Sequence, residues 1–470
     1  MKKTVFLCAL ILSGTALFSQ KKTDDVLKKL ESNQEKYADI ALQIWDLAEM
    51  GYLEEKSSAL LQKTLSDEGF SIQKGVAGIP TAFVAEYGSG YPIIAILGEY
   101  DALPGLSQQA VPEKKTANKA AGHACGHHLF GTASTAAAIS AKEWLQANNT
   151  KGTIRFYGCP AEEGGSGKVY MVREGLFNDV DIALHWHPSS QNAASAGAAL
   201  ANKSAKFRFY GTSAHAAGAP ERGRSALDGV EAMNMMVNMM REHIPQEARI
   251  HYVITEGGKA PNFAEVYYYA RHGKRDVVID IFDRIVKAAE GAALGTGTTM
   301  DYEMIGGTHE LLPNLTLQKI MYKNLSIIGG ITYTEEEKQF AEKISKTLGY
   351  EELDMKRAID VQPYKEEARA YGSTDVGDVS FAVPTVGMGT ATWVPGTPAH
   401  SWQAVAAGGT SIGTKGMMVA AKTLTLTAIE LFQDPKIVEK AKEEFEGRRG
   451  KDFKYIPLLG DRPPALDYRK

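Results

Sequence analysis

The run from Tyr91 to Leu97 constrains the fold more than any other stretch, because every residue in it is apolar or aromatic. A strand with one face in water alternates apolar and polar residues, whereas a buried strand reads as a continuous apolar run. Another strand is predicted at 81–87, and residues 25–48, 57–69 and 129–146 have helical spacing. The sequence therefore predicts an α/β fold.

The amino terminus has the three parts of a secretory signal peptide. Two lysines follow Met1, an apolar run extends from Thr4 to Phe18, and polar residues begin at Ser19. The run is too short to span a membrane, so residues 1–20 are predicted to be removed on export to the periplasm or the medium. No later apolar stretch approaches about 18 residues, so no membrane association is expected after removal.

Charge excludes one class of partner. The chain has 52 Lys and Arg residues against 56 Asp and Glu residues, a net charge of −4. Binding of nucleic acid needs a basic excess, so nucleic acid is not expected as a partner.

Acidic residues follow two predicted strands. Ligands bind where the strands of open α/β sheets end, so Asp101, after the buried strand, is a candidate, although capping a turn is the commoner role for such an Asp. The strand at 153–157 leads into Glu162 and Glu163. One of these carboxylates could bind metal while the other acts as a base, unless both simply begin the next helix.

Residues 123–128 read His-Ala-Cys-Gly-His-His, an unusual density in a chain with 11 His and 3 Cys. Imidazole and thiolate suit zinc and similar metals, and Gly126 allows a turn that aims Cys125 and His127 at one point. Two alternatives stay open. The cluster could be packed at a helix start, or Cys125 could form a disulfide with Cys159 in an oxidising compartment.

Two further histidines are candidate ligands. The strand that begins near Val180 carries His185 and His187 on the same side, and His187 lies nearest its end. His400 lies in a loop, after Pro398.

From Lys203 to Met304 the predicted elements follow the order strand, helix, strand, strand, helix, strand, which is that of the ferredoxin-like sandwich. His215 lies in a turn of small residues, and Asn262 and Arg271 lie at the two ends of one strand. A Met-rich helix face predicts packing or a subunit contact (Met233, Met236, Met240). The chain then divides into residues 21–202, an insert at 203–312, and residues 313–470 with a carboxyl-terminal tail.

Six candidate ligands are too many for one tetrahedral zinc ion but suit two metal ions that share a ligand, with Glu162 free beside them. They are Asp101, Cys125, His127, Glu163, His187 and His400.

Other chemistries compete with this interpretation. A serine hydrolase built on Ser411 would need a later histidine, and none follows His400. A thiol hydrolase using Cys125 would leave the glutamate pair without a role. A protein that only binds metal or ligand would keep the ligands but would not need Glu162.

Five ordered motifs resemble those of the amidohydrolase branch of the aminoacylase and carboxypeptidase metallopeptidases. They are Gly98-Glu99-Tyr100-Asp101-Ala102-Leu103-Pro104, Gly122-His123-Ala124-Cys125-Gly126-His127, Ala161-Glu162-Glu163, Gly211 to Ala217, and Pro398-Ala399-His400-Ser401. The resemblance implies a zinc-peptidase-like α/β catalytic domain interrupted by a lid that also dimerises. Relatives often have Asp where His128 stands, and Gln where Cys159 stands, so the role of His128 stays open.

The resemblance also implies the chemistry. Cys125, His127, Glu163, His187 and His400 would hold two divalent metal ions, zinc or manganese. Glu162 would take a proton from the attacking water and pass it to the leaving amine. His215 would stabilise the oxyanion in a neighbouring subunit's site, and Asn262 and Arg271 would bind the substrate carboxylate.

The implied substrate is an N-acyl, N-aroyl (aminobenzoyl-glutamate-like) or aminoacyl amino acid, cleaved at its amide bond. A dipeptidase of the same family and a non-catalytic homologue are the alternatives. A homodimer is expected, with or without a second, related subunit.

Overall fold

A six-stranded sheet, called here the main sheet, organises the larger part of the molecule. The computed structural model describes residues 22–258, 261–352, 354–366, 368–369 and 372–470. In spatial order the strands of the main sheet are Ser71–Lys74, Phe83–Ser89, Gly152–Gly158, Ile93–Gly98, Ile182–Leu184 and Thr385–Val386. The last four strands are mutually parallel, and the second strand is antiparallel to both of its neighbours. The predicted α/β fold is therefore found.

The apolar strand Ile93–Gly98 is central and buried on both faces, as its sequence predicts. Ile94 and Ile96 pack into a core with the helices on one side. Ala95 and Leu97 pack into a second core on the other side. Because successive side chains of a strand point to opposite faces, an apolar run is what a strand between two helical layers requires.

Helices cover this sheet on both faces. His127–Asn148 and Ser411–Gln433 belong to the first core, and Gly167–Arg173 and Val376–Ala382 to the second. The other helices outside the insert are 22–32, Gln34–Leu47, Glu55–Asp67, Val76–Gly78 (3₁₀), Leu315–Ile328, Glu335–Thr347, Lys356–Ile359, Trp402–Gly408 and Pro435–Arg449. Short strand pairs join Leu103–Pro104 to Ala121–Gly122, His187–Ser189 to Gly389–Ala391, and Gly197–Ala198 to Ala368–Arg369.

The parallel strands end level with one another. Leu97 pairs with Tyr157 and Gly98 with Gly158, while Ile96 pairs with Leu184. The segments that follow these three strands therefore leave the same edge of the sheet, where ligands bind in open α/β sheets.

Between two segments of the main sheet, a second sheet forms from Ala201–Tyr210, Arg249–Glu256, Phe263–His272 and Thr299–Thr308. All neighbours are antiparallel, and the spatial order is second, third, first, fourth. The helices Ala226–Met240 and Arg275–Thr296 pack on one face, with the 3₁₀ turns Pro220–Arg222 and Arg241–His243. The element order matches the prediction. This part of the chain is called the insert below.

Three local predictions are wrong in detail. The helix expected at 25–48 is interrupted at Asn33, where a turn separates two helices. The sequence also favours one strand over residues 384–389, but the structure has two short strands there with different partners. The Met-rich face is divided, because Met233 is buried and Met236 is 43% exposed, and the most exposed methionines are instead Met235 and Met239.

Residues 1–20, the predicted signal peptide, lie outside the described residues. No helix in the described part of the chain is both long and apolar enough to cross a membrane.

Candidate metal centre

Five of the six candidate ligands converge at the edge where the parallel strands end. Donor atoms of Cys125, His127 and His187 lie within 4.8 Å of one another, and so do donor atoms of Cys125, Glu163 and His400. Cys125 belongs to both groups. This is the arrangement expected of two cations that share one bridging ligand.

The turn at 123–128 positions Cys125 and His127. Gly126 has φ of 75°, and a Cβ at this position would lie 2.7 Å from Pro188 Cβ. Only glycine tolerates both the conformation and the close approach. The helix His127–Asn148 begins immediately afterwards, so His127 is fixed by the first turn of a buried helix.

Hydrogen bonds orient two of the candidate histidine ligands, His127 and His187. Nδ1 of His127 donates to Asp101 Oδ1 at 2.7 Å, because a carboxylate can only accept. Nδ1 of His187 donates to the Pro188 carbonyl at 2.7 Å. In each ring Nδ1 therefore carries a proton, and Nε2, which faces the other donors, is the atom that would bind a cation.

Asp101 is placed behind the centre and belongs to none of the donor groups. Its Oδ2 accepts a hydrogen bond from the backbone N–H of Glu163 at 2.9 Å, while Oδ1 holds His127. The direct ligand role considered for Asp101 is therefore replaced by the orientation of two other ligands.

Residues 161–165 form a tight loop, called here the glutamate loop. Ala161 has φ of 56°, uncommon for a residue with a side chain, and Glu54 Oε1 accepts its N–H at 2.8 Å. Tyr52 donates its hydroxyl proton to the Gly165 carbonyl at 2.7 Å. The helix begins only at Gly167, so Glu162 and Glu163 are not helix-starting acids.

His400 closes the centre from the second segment of the chain. The backbone N–H of His400 donates to the Ala124 carbonyl at 3.0 Å, and Nε2 of its ring lies 3.1 Å from Glu163 Oε1. Its φ of 61° is a strained conformation of the kind that clusters at functional sites. The His400 side chain is 53% exposed, so solvent reaches the centre on this side.

The chemistry of the donors fits divalent cations. Within the part of the chain that the structure describes, Nε2 of His127 and Oε1 of Glu163 are buried without a hydrogen-bond partner. Sγ of Cys125 lies 3.3 Å from His187 Nε2. Burial raises the pKa of the Cys125 thiol, and the carboxylates of Glu163 and Glu162 raise it further, whereas a bound cation would favour the thiolate.

Glu99 completes a third donor group with His127 and Glu162. Its Oε2 lies 3.1 Å from His127 Nε2, and both atoms are buried with no hydrogen-bond partner among the described residues. Sequence reasoning missed Glu99, although it precedes Asp101 by two residues at the same strand end. That spacing was the signal available.

A buried lysine neutralises this side of the centre. Lys168 Nζ lies 2.6 Å from Glu99 Oε1 and 2.7 Å from Asp375 Oδ1, and all three side chains are almost fully buried. The Lys168 N–H also donates to Asp375 Oδ2 at 2.9 Å.

Glu162 is half-buried beside the donors. Burial, and then the charges of Glu163 and Glu99, raise the pKa of its carboxyl group well above the ordinary range. A cation held by Glu163 would oppose this shift. A carboxylate with a raised pKa next to bound cations suits proton transfer near neutral pH.

The remaining candidates, His215, Asn262 and Arg271, belong to none of the donor groups. His215 is exposed on a turn of the insert, and Asn262 is close to it, since the Asn262 carbonyl accepts the Gly211 N–H at 3.0 Å. Arg271 is near the other end of the strand Phe263–His272, about 30 Å away at about 3.3 Å per residue.

The other histidines near the centre are engaged elsewhere or lie outside the donor groups. His123 Nε2 donates to the Ile44 carbonyl and His128 Nε2 to the Gly408 carbonyl, each at 3.0 Å. His185 is half-buried and belongs to none of the groups, as the preference for His187 anticipates. Cys125 and Cys159 are free, so the alternative disulfide is not formed.

Comparison with known proteins identifies the family. The model of peptidase family M20/M25/M40 matches residues 95–404, a range that includes all five candidate metal ligands. The chain belongs to this family and is a hydrolase of linear amide or peptide bonds.

Within this family the motifs of the chain resemble most those of aminobenzoyl-glutamate utilization protein B, and the comparison confirms that resemblance. The chain is 43% identical to one of the subunits of p-aminobenzoyl-glutamate hydrolase of Escherichia coli, over 89% of this chain and 93% of that protein. It is 28% identical to the mouse Xaa-Arg dipeptidase, over 89% and 91%.

Among solved structures, the aminobenzoyl-glutamate utilization protein of Klebsiella pneumoniae superposes with a TM-score of 0.60 at 18% identity, over 87% of this chain and 98% of that chain. At this identity the likeness concerns the fold.

Proposed function

We propose that the protein is a metal-dependent amidohydrolase that removes an acyl, aroyl or aminoacyl group from an amino acid with a free carboxylate. The observation that carries the proposal is the pair of donor groups that share Cys125, with Glu162 beside them. Cys125, His127, Glu163, His187 and His400 would hold two divalent cations, zinc or manganese, and the nitrogen and sulfur donors suit zinc.

Bound cations supply Lewis acidity toward the substrate carbonyl and the attacking water. The chain supplies the proton transfers and the positioning. Glu162 takes a proton from the attacking water and delivers it to the amine that leaves, which needs a carboxylate near both atoms. Asp101 and the Pro188 carbonyl keep the ligand imidazoles in one tautomer, so the site is organised before substrate binds.

The names of the relatives narrow the range of candidate substrates. The E. coli protein at 43% identity is named for p-aminobenzoyl-glutamate, an aroyl amino acid, and the mouse enzyme at 28% identity for Xaa-Arg dipeptides. We place the aroyl amino acid first and a dipeptide second, because the higher identity extends over a similar share of the chain.

We propose that the insert, assigned to residues 203–312 between catalytic segments 21–202 and 313–470, is a ferredoxin-like lid that also dimerises. Its edge strand Arg249–Glu256 exposes Val253 and Ile254, and the adjacent helix exposes Met235 and Met239. An apolar surface beside a free strand edge favours pairing with a second copy.

His215 is suited to stabilise an oxyanion in the partner's site. Its Nδ1 accepts the backbone N–H groups of Ala217 at 3.2 Å and Gly218 at 2.9 Å. The ring proton is therefore on Nε2, which is left to donate. His215 and Asn262 lie at the end of the insert remote from Ala201, where the chain enters it, and this favours action in a neighbouring subunit.

Arg271 lies at the near end, so it would bind the substrate carboxylate within its own subunit while Asn262 approaches from the partner. The proposal also places the mature protein in the periplasm or medium, after removal of residues 1–20. Because the E. coli relative is named as one of the subunits of its hydrolase, a second, related chain is a further candidate partner.

The proposal is tested by measuring bound metal in the purified mature protein and then assaying p-aminobenzoyl-glutamate, acyl amino acids and dipeptides, including Xaa-Arg. We expect about two metal ions per chain, fastest turnover of the aroyl amino acid, and loss of turnover in chelator. Full activity in excess chelator would instead favour the thiol mechanism, and metal binding without turnover of any substrate would favour a binding protein.

A further inference from the structure

The last 21 residues, 450–470, form a segment without helix or strand, called here the C-terminal tail. It follows the final helix, Pro435–Arg449, and runs back across the molecule. The Tyr455 hydroxyl donates to Asp378 Oδ1 at 2.8 Å, and His309 Nε2 donates to the Ile456 carbonyl at 3.0 Å. Leu458 and Leu459 are buried, so the tail is part of the packed structure.

The tail passes directly over the strand by which the chain leaves the insert. A Cβ on Gly307 would lie 2.7 Å from the backbone of Leu458 and Leu459, so only glycine permits this approach. Arg462 donates to the carbonyls of Met304 and Ile305.

The tail then crosses the helix Gly167–Arg173. Arg173 donates to the Arg462 carbonyl at 2.8 Å, and the Tyr170 hydroxyl donates to the Pro463 carbonyl at 3.3 Å. Side chains of the main body thus fix the backbone of the tail immediately before its last residues.

The tail ends on the glutamate loop. The Tyr468 hydroxyl donates to the Glu163 carbonyl oxygen at 3.0 Å, and Arg469 Nη2 donates to the same oxygen at 2.8 Å. The Tyr468 ring packs edge-on against Tyr52, with centroids 5.5 Å apart, and Tyr52 itself binds the Gly165 carbonyl.

With these contacts, hydrogen bonds hold the peptide groups on both sides of Glu163. Asp101 Oδ2 accepts the Glu163 N–H, while the tail supplies both described hydrogen bonds to the Glu163 carbonyl. Glu162 and Glu163 are consecutive, so a rotation of this short loop would move both side chains. Ala161, at the start of the loop, is held in a left-handed conformation that costs free energy and needs support from its surroundings.

We propose that Tyr468 and Arg469 are positioning residues for the centre: by holding the Glu163 carbonyl they set the directions of the Glu162 and Glu163 side chains. The inference rests on the proposed function, in which Glu163 binds metal and Glu162 moves the proton. It makes the C-terminal tail a part of the active-site structure, although neither residue touches substrate.

The test compares a chain that ends at Asp467 with a matched control that ends at Arg469 and lacks only the exposed Lys470. Tyr468→Phe keeps the ring against Tyr52 and removes one donor. For each protein the measurements are kcat and KM on the best substrate of the full chain, metal retained per chain during titration with a chelator, and the midpoint of thermal unfolding.

We expect the chain ending at Asp467 to lose about 10- to 100-fold in kcat with KM changed less than about threefold, since small displacements of catalytic groups cost this much. It should release metal at lower chelator concentrations than the control while unfolding within a few degrees of it. Tyr468→Phe should lose several-fold in kcat.

Equal kcat and equal metal retention in the two truncated chains would overturn the inference. So would a loss of activity that follows a fall in the unfolding midpoint, because the tail would then act only through stability. If the full chain hydrolyses no substrate, the proposed function fails, but a difference in metal retention between the two truncated chains would still support the positioning role.

Discussion

At the scale of single residues, the centre depends on groups that serve two partners at once. Asp101 orients His127 with one oxygen and the Glu163 backbone with the other. Cys125 contributes to two of the three donor groups, one with His127 and His187 and the other with Glu163 and His400. Such sharing makes the geometry of one ligand depend on that of the next, so substitutions here are expected to act together and not additively.

Glu162→Gln tests the proton-transfer role. The amide keeps the size of the side chain but cannot accept a proton, so kcat should fall by about 10²- to 10⁴-fold while both metal ions stay bound. Steady-state kinetics and metal analysis on the same sample check this. Glu163→Gln is the matched control and should lose metal, and near-normal turnover by Glu162→Gln would remove Glu162 from the mechanism.

Asp378 predicts a pH dependence of stability. Burial raises the pKa of its carboxyl group from the ordinary 3.8 to about 7, although hydrogen bonds from Tyr455 and the His309 N–H partly oppose the shift. The folded protein therefore holds a proton that the unfolded chain releases, so this group makes stability fall as pH rises from about 4 to about 7.

Asp378→Asn mimics the protonated side chain and removes the pH-dependent contribution of this group to stability. Relative to the wild type, the variant should gain on the order of 5 °C in unfolding midpoint between pH 4.5 and pH 8, measured calorimetrically in chelator. A difference between the two proteins that does not change with pH would contradict the assignment.

At the scale of helices and strands, Lys168 joins three segments that are distant in sequence. It lies on the helix Gly167–Arg173 and pairs with Glu99 after a strand and with Asp375 before the helix Val376–Ala382. A buried pair contributes little net stability when intact, but removing one partner leaves the other charges without compensation.

Lys168→Met should therefore lower the free energy of unfolding by about 3–5 kcal/mol. Urea denaturation followed by tryptophan fluorescence is a suitable measurement, because all five tryptophans lie outside the insert. The control Lys63→Met breaks an exposed pair with Asp67 and should change stability by less than about 1 kcal/mol. Equal effects of the two substitutions would show that the buried pairs are not coupled to stability.

The sequence predicted those elements whose signal is local. The apolar strand Ile93–Gly98 and the order of elements in the insert follow from periodicity. Motifs at strand ends and in tight turns, together with the family resemblance, predicted the five candidate ligands that the structure brings together. The break at Asn33 was missed because apolar spacing continues through it. Glu99 was missed because its pairing with Lys168 depends on a helix about 70 residues later. The role of the tail was missed because its contacts with the glutamate loop are to a backbone carbonyl, which carries no sequence signature.

At the scale of the whole molecule, the geometry of the insert makes a subunit exchange experiment informative. His215 and Glu162 should act in one site from different chains. When His215→Ala and Glu162→Gln proteins are mixed and allowed to exchange subunits, half of the dimers should be mixed, each with one intact site, which gives about a quarter of wild-type activity.

Each variant alone should be nearly inactive in the same assay. Mixing without recovery, despite exchange shown by mass spectrometry of tagged subunits, would place His215 in its own subunit's site.

The spread of the centre along the chain also bears on when metal can enter. Cys125 is synthesised long before His400, the strand Thr385–Val386 that completes the main sheet comes late, and Arg469 comes later still. A partial donor set binds cations weakly, so the complete centre exists only after synthesis has passed His400. If residues 1–20 direct export as proposed, the ions available in the compartment where the chain folds would decide the identity of the bound metal, and not those in the cytoplasm where it is made.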